Sequence, residues 1–318
     1  MRLTTEQLKS IAFGTVDIRE EADGVRFMKC TDKQIEQSMK YSPDHGNLSG
    51  SASGARLDFY TDSTLLAFDA VGDGRYEVMI NNLLFKQLEI KHYHESGEKM
   101  ELTLPEGEKR VTLLFPNWGK GAWLKYLELS DGAYFKPHKY DRKFYFYGDS
   151  ITQGYNATYN FVTFTHSLSR RYNADILVNG VGGWFFNPDY VDAVPYDPEV
   201  VFLACGTNDW TRSDSPETMR KMTSGCMDGL RALFPKATFF VISPLWRKDL
   251  NDRRMGSFET ACNIVKEEAL ARGFNLIDGF DLVPHDPAFF GDERLHPNSL
   301  GFMVYSERLI AHLDKYLG

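Results

Sequence analysis

From about Val16 to Phe135 the chain alternates apolar and polar positions in short runs. Arg56–Tyr60, Thr64–Phe68, Tyr76–Ile80, Gln87–Ile90, Met100–Leu104, Arg110–Phe115 and Trp123–Leu129 each read as a strand with one face turned inward. Turn-forming residues punctuate them: Asp62-Ser63, Gly72-Asp73-Gly74, Asn81-Asn82, Pro105-Glu106-Gly107 and Pro116-Asn117. No long helical period occurs between residues 20 and 130. Many short strands with regular turns predict an all-β sandwich or barrel over residues 1–138.

After Pro137 the texture changes. Apolar runs at Lys143–Tyr147, Asp175–Val178, Glu199–Cys205, Ala237–Ile242 and Asn275–Asp278 alternate with helical patterns. One stripe joins Phe161, Phe164, Leu168 and Tyr172. Further helices are expected at Thr218–Leu233, Phe258–Arg272 and Asn298–Leu317, the second ending at Gly273. Near-continuous apolar strands between helices predict an α/β domain over residues 139–318, with a parallel sheet covered on both faces. Ligands of such sheets bind beyond the carboxyl ends of the strands, so those ends are where chemistry is sought.

Composition narrows the classes. The 318 residues, 42% hydrophobic and 25% charged, can bury a large core and do not describe a disordered chain. A net charge of −8 argues against a nucleic-acid partner. No apolar run is long enough to span a membrane, and the first residues lack the apolar stretch of a secretory leader. Cys30, Cys205, Cys226 and Cys262 are widely spaced and form no C-x-x-C pair, so free thiols and a cytoplasmic location are expected. There is no phosphate-binding G-x-x-x-x-G-K-[ST] sequence and no zinc-type cluster, and neither cofactor nor metal is expected. His92 and His94 share one side of a strand, with no evident third ligand. Aromatics, at 14%, suit a sandwich core or a sugar site, and exposed aromatic sandwich faces leave room for a homo-oligomer.

Four strand ends carry candidate chemistry. Gly148-Asp149-Ser150-Ile151-Thr152-Gln153-Gly154 places a serine on a strand-to-helix turn, where its backbone N–H can face an anion. Thr152 stands where the second glycine of a G-x-S-x-G elbow would be. Val178-Asn179-Gly180-Val181-Gly182-Gly183-Trp184 allows a ligand to approach the backbone closely. Gly206-Thr207-Asn208-Asp209-Trp210 offers a side-chain amide to a developing oxyanion. Asp292-Glu293-Arg294-Leu295-His296-Pro297-Asn298 supplies an imidazole with an acid three residues upstream.

Taken together and in this order, the four blocks resemble the SGNH (GDSL) hydrolase family over about residues 140–318. The resemblance implies a flavodoxin-like, five-stranded parallel sheet between helices, and ester hydrolysis. Ser150 is then the nucleophile, with His296 as its base. The oxyanion donors are the Ser150 N–H, the Gly183 N–H (with Gly182 its rival) and the Asn208 side chain. The family places Asp three residues before the histidine. Here that residue is Glu293, taken as the third catalytic residue, and Asp292 lies one further back. Ser53–Ser63 resembles the jelly-roll domain found ahead of some SGNH carbohydrate esterases.

Trp184 and Trp210 follow the oxyanion blocks, and Trp246 follows the fourth apolar run. Stacking on a sugar ring is expected of the first two. The expected function is hydrolysis of a short-chain ester, preferably acetyl, on a small molecule or glycan, through an acyl-enzyme on Ser150. A lysophospholipase or thioesterase on the same scaffold, and a non-catalytic carbohydrate-binding protein, are the rival readings.

Overall fold

The computed structural model describes residues 1–22, 24–119 and 121–318, and the side chains of all but residues 91–96 and 122 among them. The His92–His94 pair therefore falls among side chains outside the described residues.

The front of the chain runs through helix α1 (Thr5–Ile11), strands β1 (Ala12–Phe13), β2 (Asp17–Glu21) and β3 (Gly24–Met28), and helices α2 (Asp32–Met39) and α3 (Pro43–Ser49). Strands β4 (Arg56–Thr61), β5 (Leu65–Ile80), β6 (Leu83–Thr103), β7 (Lys109–Leu114), β8 (Ala122–Leu129) and β9 (Phe135–Pro137) follow. They form one antiparallel, jelly-roll-like sheet in the order β1-β4-β7-β5-β8-β3-β2, with β6 on β5 and β9 on β4. The alternation read in the sequence has its cause here. Phe27, Leu57, Phe59, Phe68, Val78, Val111, Leu113 and Leu127 point to one fully buried cluster.

Two features differ from expectation. Gly72-Asp73-Gly74 is not a turn. Strand β5 passes straight through it, with register shifts against β6 between Ala70 and Gly72 and between Gly72 and Gly74. Both glycines sit at φ 119°, so the residues that read as punctuation form a bulge. Helices α2 and α3 also interrupt the strands. Thr31 and Gln34 close a capping box on α2, while Ser42 caps α3 with Pro43 in its first turn. Both signals stand in the sequence but lack a long apolar stripe behind them.

The back of the chain is β10 (Arg142–Gly148), α4 (Ser150–Gln153), α5 (Phe164–Arg171), β11 (Ala174–Gly180), β12 (Val200–Ala204), α6 (Thr207–Arg212), α7 (Pro216–Leu233), β13 (Thr238–Ile242), α8 (Phe258–Ala271), β14 (Asn275–Ile277) and α9 (Ser299–Leu317). The five strands are parallel in the order β11-β10-β12-β13-β14. Clusters around Tyr147, Trp184 and Met227 and around Phe146, Phe202 and Phe302 bury its two faces. No helix among the described residues is long and apolar enough to cross a membrane.

Polar groups join the two sheets. The buried Arg56 guanidinium lies 3.0 Å from Asp175, whose carboxylate also accepts the Gly14 N–H. Glu77 of β5 accepts the N–H groups of Asn160 and Phe161 at 2.6 and 2.9 Å. The Asn160 amide in turn donates to the carbonyls of Arg75 and Phe115. Breaking one partner of such buried contacts leaves a charge or dipole unpaired, so the junction is specific rather than merely adhesive.

Candidate active site

Strand β10 carries the first functional group. It ends at Gly148, and Asp149 caps the short helix α4 by accepting the Ile151 N–H at 2.9 Å. Ser150 thus occupies the first helical position, where a backbone N–H has no intrahelical partner. In the parallel register Gly148 pairs with Gly180 on one side and Ala204 on the other. The loops bearing Ser150, Gly183 and Asn208 therefore leave the sheet at one level, on neighbouring strands.

Ser150 Oγ lies 2.8 Å from His296 Nε2, and His296 Nδ1 lies 2.8 Å from Asp292 Oδ2. These partners assign the tautomer: Nδ1–H donates to the carboxylate and Nε2 accepts from the serine hydroxyl. The other Asp292 oxygen accepts the N–H groups of Arg294, Leu295 and His296 at 3.1, 2.8 and 3.0 Å. Burial opposes the Asp292 charge, but the Leu295 and His296 N–H groups and the His296 ring outweigh it and hold the carboxyl at about 2. Burial likewise moves His296 below its usual 6.5, against the pull of Asp292, with Arg294 and Arg247 adding to the drop.

The assignment of Glu293 as the third residue is corrected by this turn. The Asp292 side chain folds back over its own turn toward the imidazole, whereas Glu293 sits at φ 56° and is exposed. Spacing alone pointed one residue too far along, because an acid that caps the turn reaches the ring from four residues back.

Gly182 is excluded as an oxyanion donor, since its N–H is taken by Gln153 Oε1 at 2.6 Å. Gly183, at φ 74°, makes no backbone N–H hydrogen bond among the described residues. A side chain there would press on His45 Nε2 at 3.0 Å. Asn208 Nδ2 donates to the Trp184 carbonyl at 2.9 Å, which orients the amide and leaves its second N–H available. Burial pushes the neighbouring carboxyls Asp149 and Asp209 up to about 7 each. The Asp209 carboxylate accepts the Phe186 N–H at 2.9 Å.

Trp184 and Trp210 do not face a ligand, which corrects their expected role. Both are fully buried. The Trp184 indole N–H donates to the Tyr147 hydroxyl, and that of Trp210 to the Gly256 carbonyl. Arg247 and Arg253 each lie 5.0 Å from the Trp210 ring. Trp246 stacks on His285. Two exposed rings beside His296 are Trp118, from the front domain, and Tyr155, 37% and 36% accessible with centroids 4.3 Å apart. The Tyr155 and His296 rings meet in a T-shaped contact with centroids 4.8 Å apart. The two rings wall a cleft of about 450 Å³ shared with Arg75, Glu89, Asn117 and Asn156. No motif marks Trp118, because only the packing of the two domains brings it to the site.

Sequence reasoning also missed Arg247. It is buried, donates to Thr207 Oγ1 at 2.9 Å and grips Asp249 at 2.7 and 2.8 Å. Asp249 in turn receives Arg294 at 3.0 Å, which ties the loop after β13 to the turn carrying Asp292 and His296.

A serine hydrogen-bonded to an imidazole, itself held by a carboxylate, beside free N–H donors is the constellation of acyl-transfer hydrolases. Residues 146–303 match the model of the GDSL-like lipase/acylhydrolase family. Over that stretch the chain belongs to this family, with the SGNH hydrolase fold, and its class is carboxylic ester hydrolase. A comparison with curated proteins finds no match.

Among solved structures, a salicylyl-acyltransferase from a tetracycline biosynthetic pathway aligns with a TM-score of 0.82 at 18% identity, covering 99% of this chain and 98% of its own. A protein described as a GDSL-like lipase, from Bacteroides ovatus, gives 0.78 at 18%, covering 99% and 97%. A family two carbohydrate esterase from Clostridium thermocellum, in complex with cellohexaose, gives 0.70 at 16%, covering 96% and 98%. At these identities the likeness is one of fold, and it extends over both parts of the chain.

Proposed function

We propose that the protein is a serine esterase that removes a short acyl group, preferably acetyl, from a carbohydrate hydroxyl through an acyl-enzyme on Ser150. The observation that carries this reading is the Asp292–His296–Ser150 line ending beside an aromatic cleft. His296 takes the Ser150 proton while Oγ attacks the ester carbonyl. The oxyanion forms against the N–H groups of Ser150 and Gly183 and the Asn208 amide. His296 then returns its proton to the departing alcohol oxygen, and a water activated by the same imidazole releases the acyl group.

Because the leaving alcohol must lie within reach of His296, it lies beside Tyr155, on the cleft side. Trp118 and Tyr155 there offer faces suited to the apolar side of a sugar ring, and Arg75, Glu89 and the asparagines suit its hydroxyls. The cellohexaose-bound esterase of the same fold supports a glycan alcohol. The opposite side of the oxyanion loop is bordered by polar groups: Arg212 lies 3.2 Å from His45 Nε2. Polar groups there favour a small acyl group over a lipid chain.

The test is hydrolysis of p-nitrophenyl acetate and octanoate beside Ser150→Ala, followed by acetate release from acetylated oligosaccharides. The account expects acetyl to exceed octanoyl, activity to depend on Ser150, and acetate to be released from the oligosaccharides. Faster octanoyl turnover would move the reading to a lysophospholipase or thioesterase. Equal activity in wild type and Ser150→Ala would remove Ser150 as nucleophile.

A further inference from the structure

A lysine buried to zero exposure without a carboxylate partner is costly, because the charge gives up its hydration and meets only dipoles. Lys29, just past β3 in the front domain, is such a residue and makes no ion pair among the described residues. Its three N–H donors are all used: Ser51 Oγ at 2.8 Å, Ser53 Oγ at 2.8 Å and the Gly180 carbonyl at 2.6 Å.

Gly180 ends β11 and begins the loop that presents Gly183. Two residues along, the Gly182 N–H is held by Gln153 Oε1, and the Gln153 amide donates to Ser51 Oγ and to the Asn117 carbonyl, each at 2.9 Å. One connected set of hydrogen bonds thus runs from Lys29 through Ser51 and Gln153 to Gly182. It pins both sides of Val181 and leaves Gly183 as the next residue out. The loop has no slack on its outer side either: a side chain at Gly182 would come within 2.7 Å of Trp118 and 2.8 Å of Leu48.

We propose that Lys29 is a positioning residue for the oxyanion loop. Through Gly180, Ser51 and Gln153 it fixes where the Gly183 N–H points, so the front domain sets the turnover of a site whose reacting groups all lie in the other domain. This rests on the esterase reading above. A methionine would fill the same volume without the desolvation cost, so packing alone does not account for a lysine here. The ammonium also places an uncompensated positive charge behind the loop on which negative charge develops, a preorganised contribution to the transition state.

Burial lowers Lys29 to about 8. The charge is therefore present at neutral pH and lost in mild alkali. Cys30 is the titratable group beside it, and burial pushes that thiol up, so it stays neutral over the same range. Ser51 and Ser53, from the loop before β4, and Gly180, from β11, carry no titrating group.

The experiment measures kcat and KM of the full-length protein on a short acetyl ester, from neutral to mildly alkaline pH, for wild type, K29M, Q153M and S150A. Folding is checked by circular dichroism and melting. K29M is expected to lose about tenfold to a hundredfold in kcat with KM within about threefold, the scale of a misplaced or lost donor. Wild-type kcat is expected to fall as pH rises through about 8, a limb absent from K29M. Q153M, which frees Gly182, is expected to show the same split.

A K29M kcat within twofold of wild type, or a loss confined to KM, would overturn the proposal. If K29M does not fold, the wild-type alkaline limb and the Q153M split decide. A flat limb together with an unchanged Q153M kcat would overturn it. An inactive S150A beside a fully active K29M would sink this inference alone, whereas an S150A as active as wild type would sink the esterase reading itself.

Discussion

The two sheets reach the candidate active site by different routes. In the parallel sheet, Gly148, Gly180 and Ala204 lie at one register level, so the loops after β10, β11 and β12 converge without further instruction. Each delivers its group within a few residues of the strand: Ser150, Gly183 and Asn208. In the antiparallel sheet, connections leave from both ends, and what reaches the site comes from distant stretches of chain: Lys29 after β3, His45 on α3, Ser51 before β4 and Trp118 before β8. The first route concentrates reacting groups into short sequence blocks. The second scatters positioning and binding groups over some 90 residues, and only the packed junction around Arg56–Asp175 and Glu77–Asn160 gathers them. Ser150, Gly183 and Asn208 thus stand in blocks at strand ends, with Gln153 and Tyr155 beside Ser150, whereas Lys29, His45 and Trp118 stand in no such block.

Substitutions separate the two contributions. The largest effect is expected at the reacting groups. Ser150→Ala and His296→Ala should each lower kcat by about ten-thousandfold or more, and the double variant should lose little further, because the pair acts as a unit. Asp292→Asn should cost about a thousandfold to ten-thousandfold by disturbing the His296 tautomer, while Glu293→Gln stays within about twofold. Comparable losses at both positions would break the distinction drawn between the two neighbouring acids.

Asn208→Ala should cost about a hundredfold to a thousandfold in kcat. An unchanged turnover would remove Asn208 from the oxyanion site. The tryptophans then sharpen the contrast between the domains. Trp118→Ala should raise KM for an acetylated oligosaccharide by about tenfold, with little change in kcat on p-nitrophenyl acetate. Trp210→Ala should instead destabilise the fold by about 3–5 kcal/mol in denaturant titration. A glycan KM effect at Trp210 without loss of stability would contradict its buried place.

The smallest effect is one of pH. His296 must be neutral to accept the serine proton, and burial lowers its pKa, so kcat is expected to rise with pH through a midpoint below 6.5 and to be lost in acid. A midpoint above 6.5 would mean that Asp292 outweighs burial at the ring.

The strands and helices were legible because each buries a face, and burial writes its period into the sequence. The positions of Ser150 and Asn208 were legible because a strand end, a tight turn and a reactive residue are adjacent in the chain there, whereas His296, well past the end of β14, was legible only through the resemblance of its block. Asp292 was displaced by Glu293 because a count of residues carries no information about which side chain a turn folds inward. Trp184 and Trp210 misled for a related reason: standing next to an oxyanion block, each points back into the core instead of outward. Gly72 and Gly74 permit a bulge as readily as a turn, and only the partner strand decides. Lys29 and Trp118 had no local signal at all, since their meaning arises where two separately encoded domains meet.

The central claim is a covalent acyl-enzyme on Ser150 driven by the Asp292–His296 pair. Its most direct test is intact-mass spectrometry of the protein quenched in acid during turnover of an acetyl ester, followed by peptide mapping. The account predicts one added acetyl group, located on the peptide containing Ser150, absent from Ser150→Ala and formed far more slowly in Asp292→Asn. An acetyl group found on another residue, or equal labelling of Ser150→Ala, would contradict it.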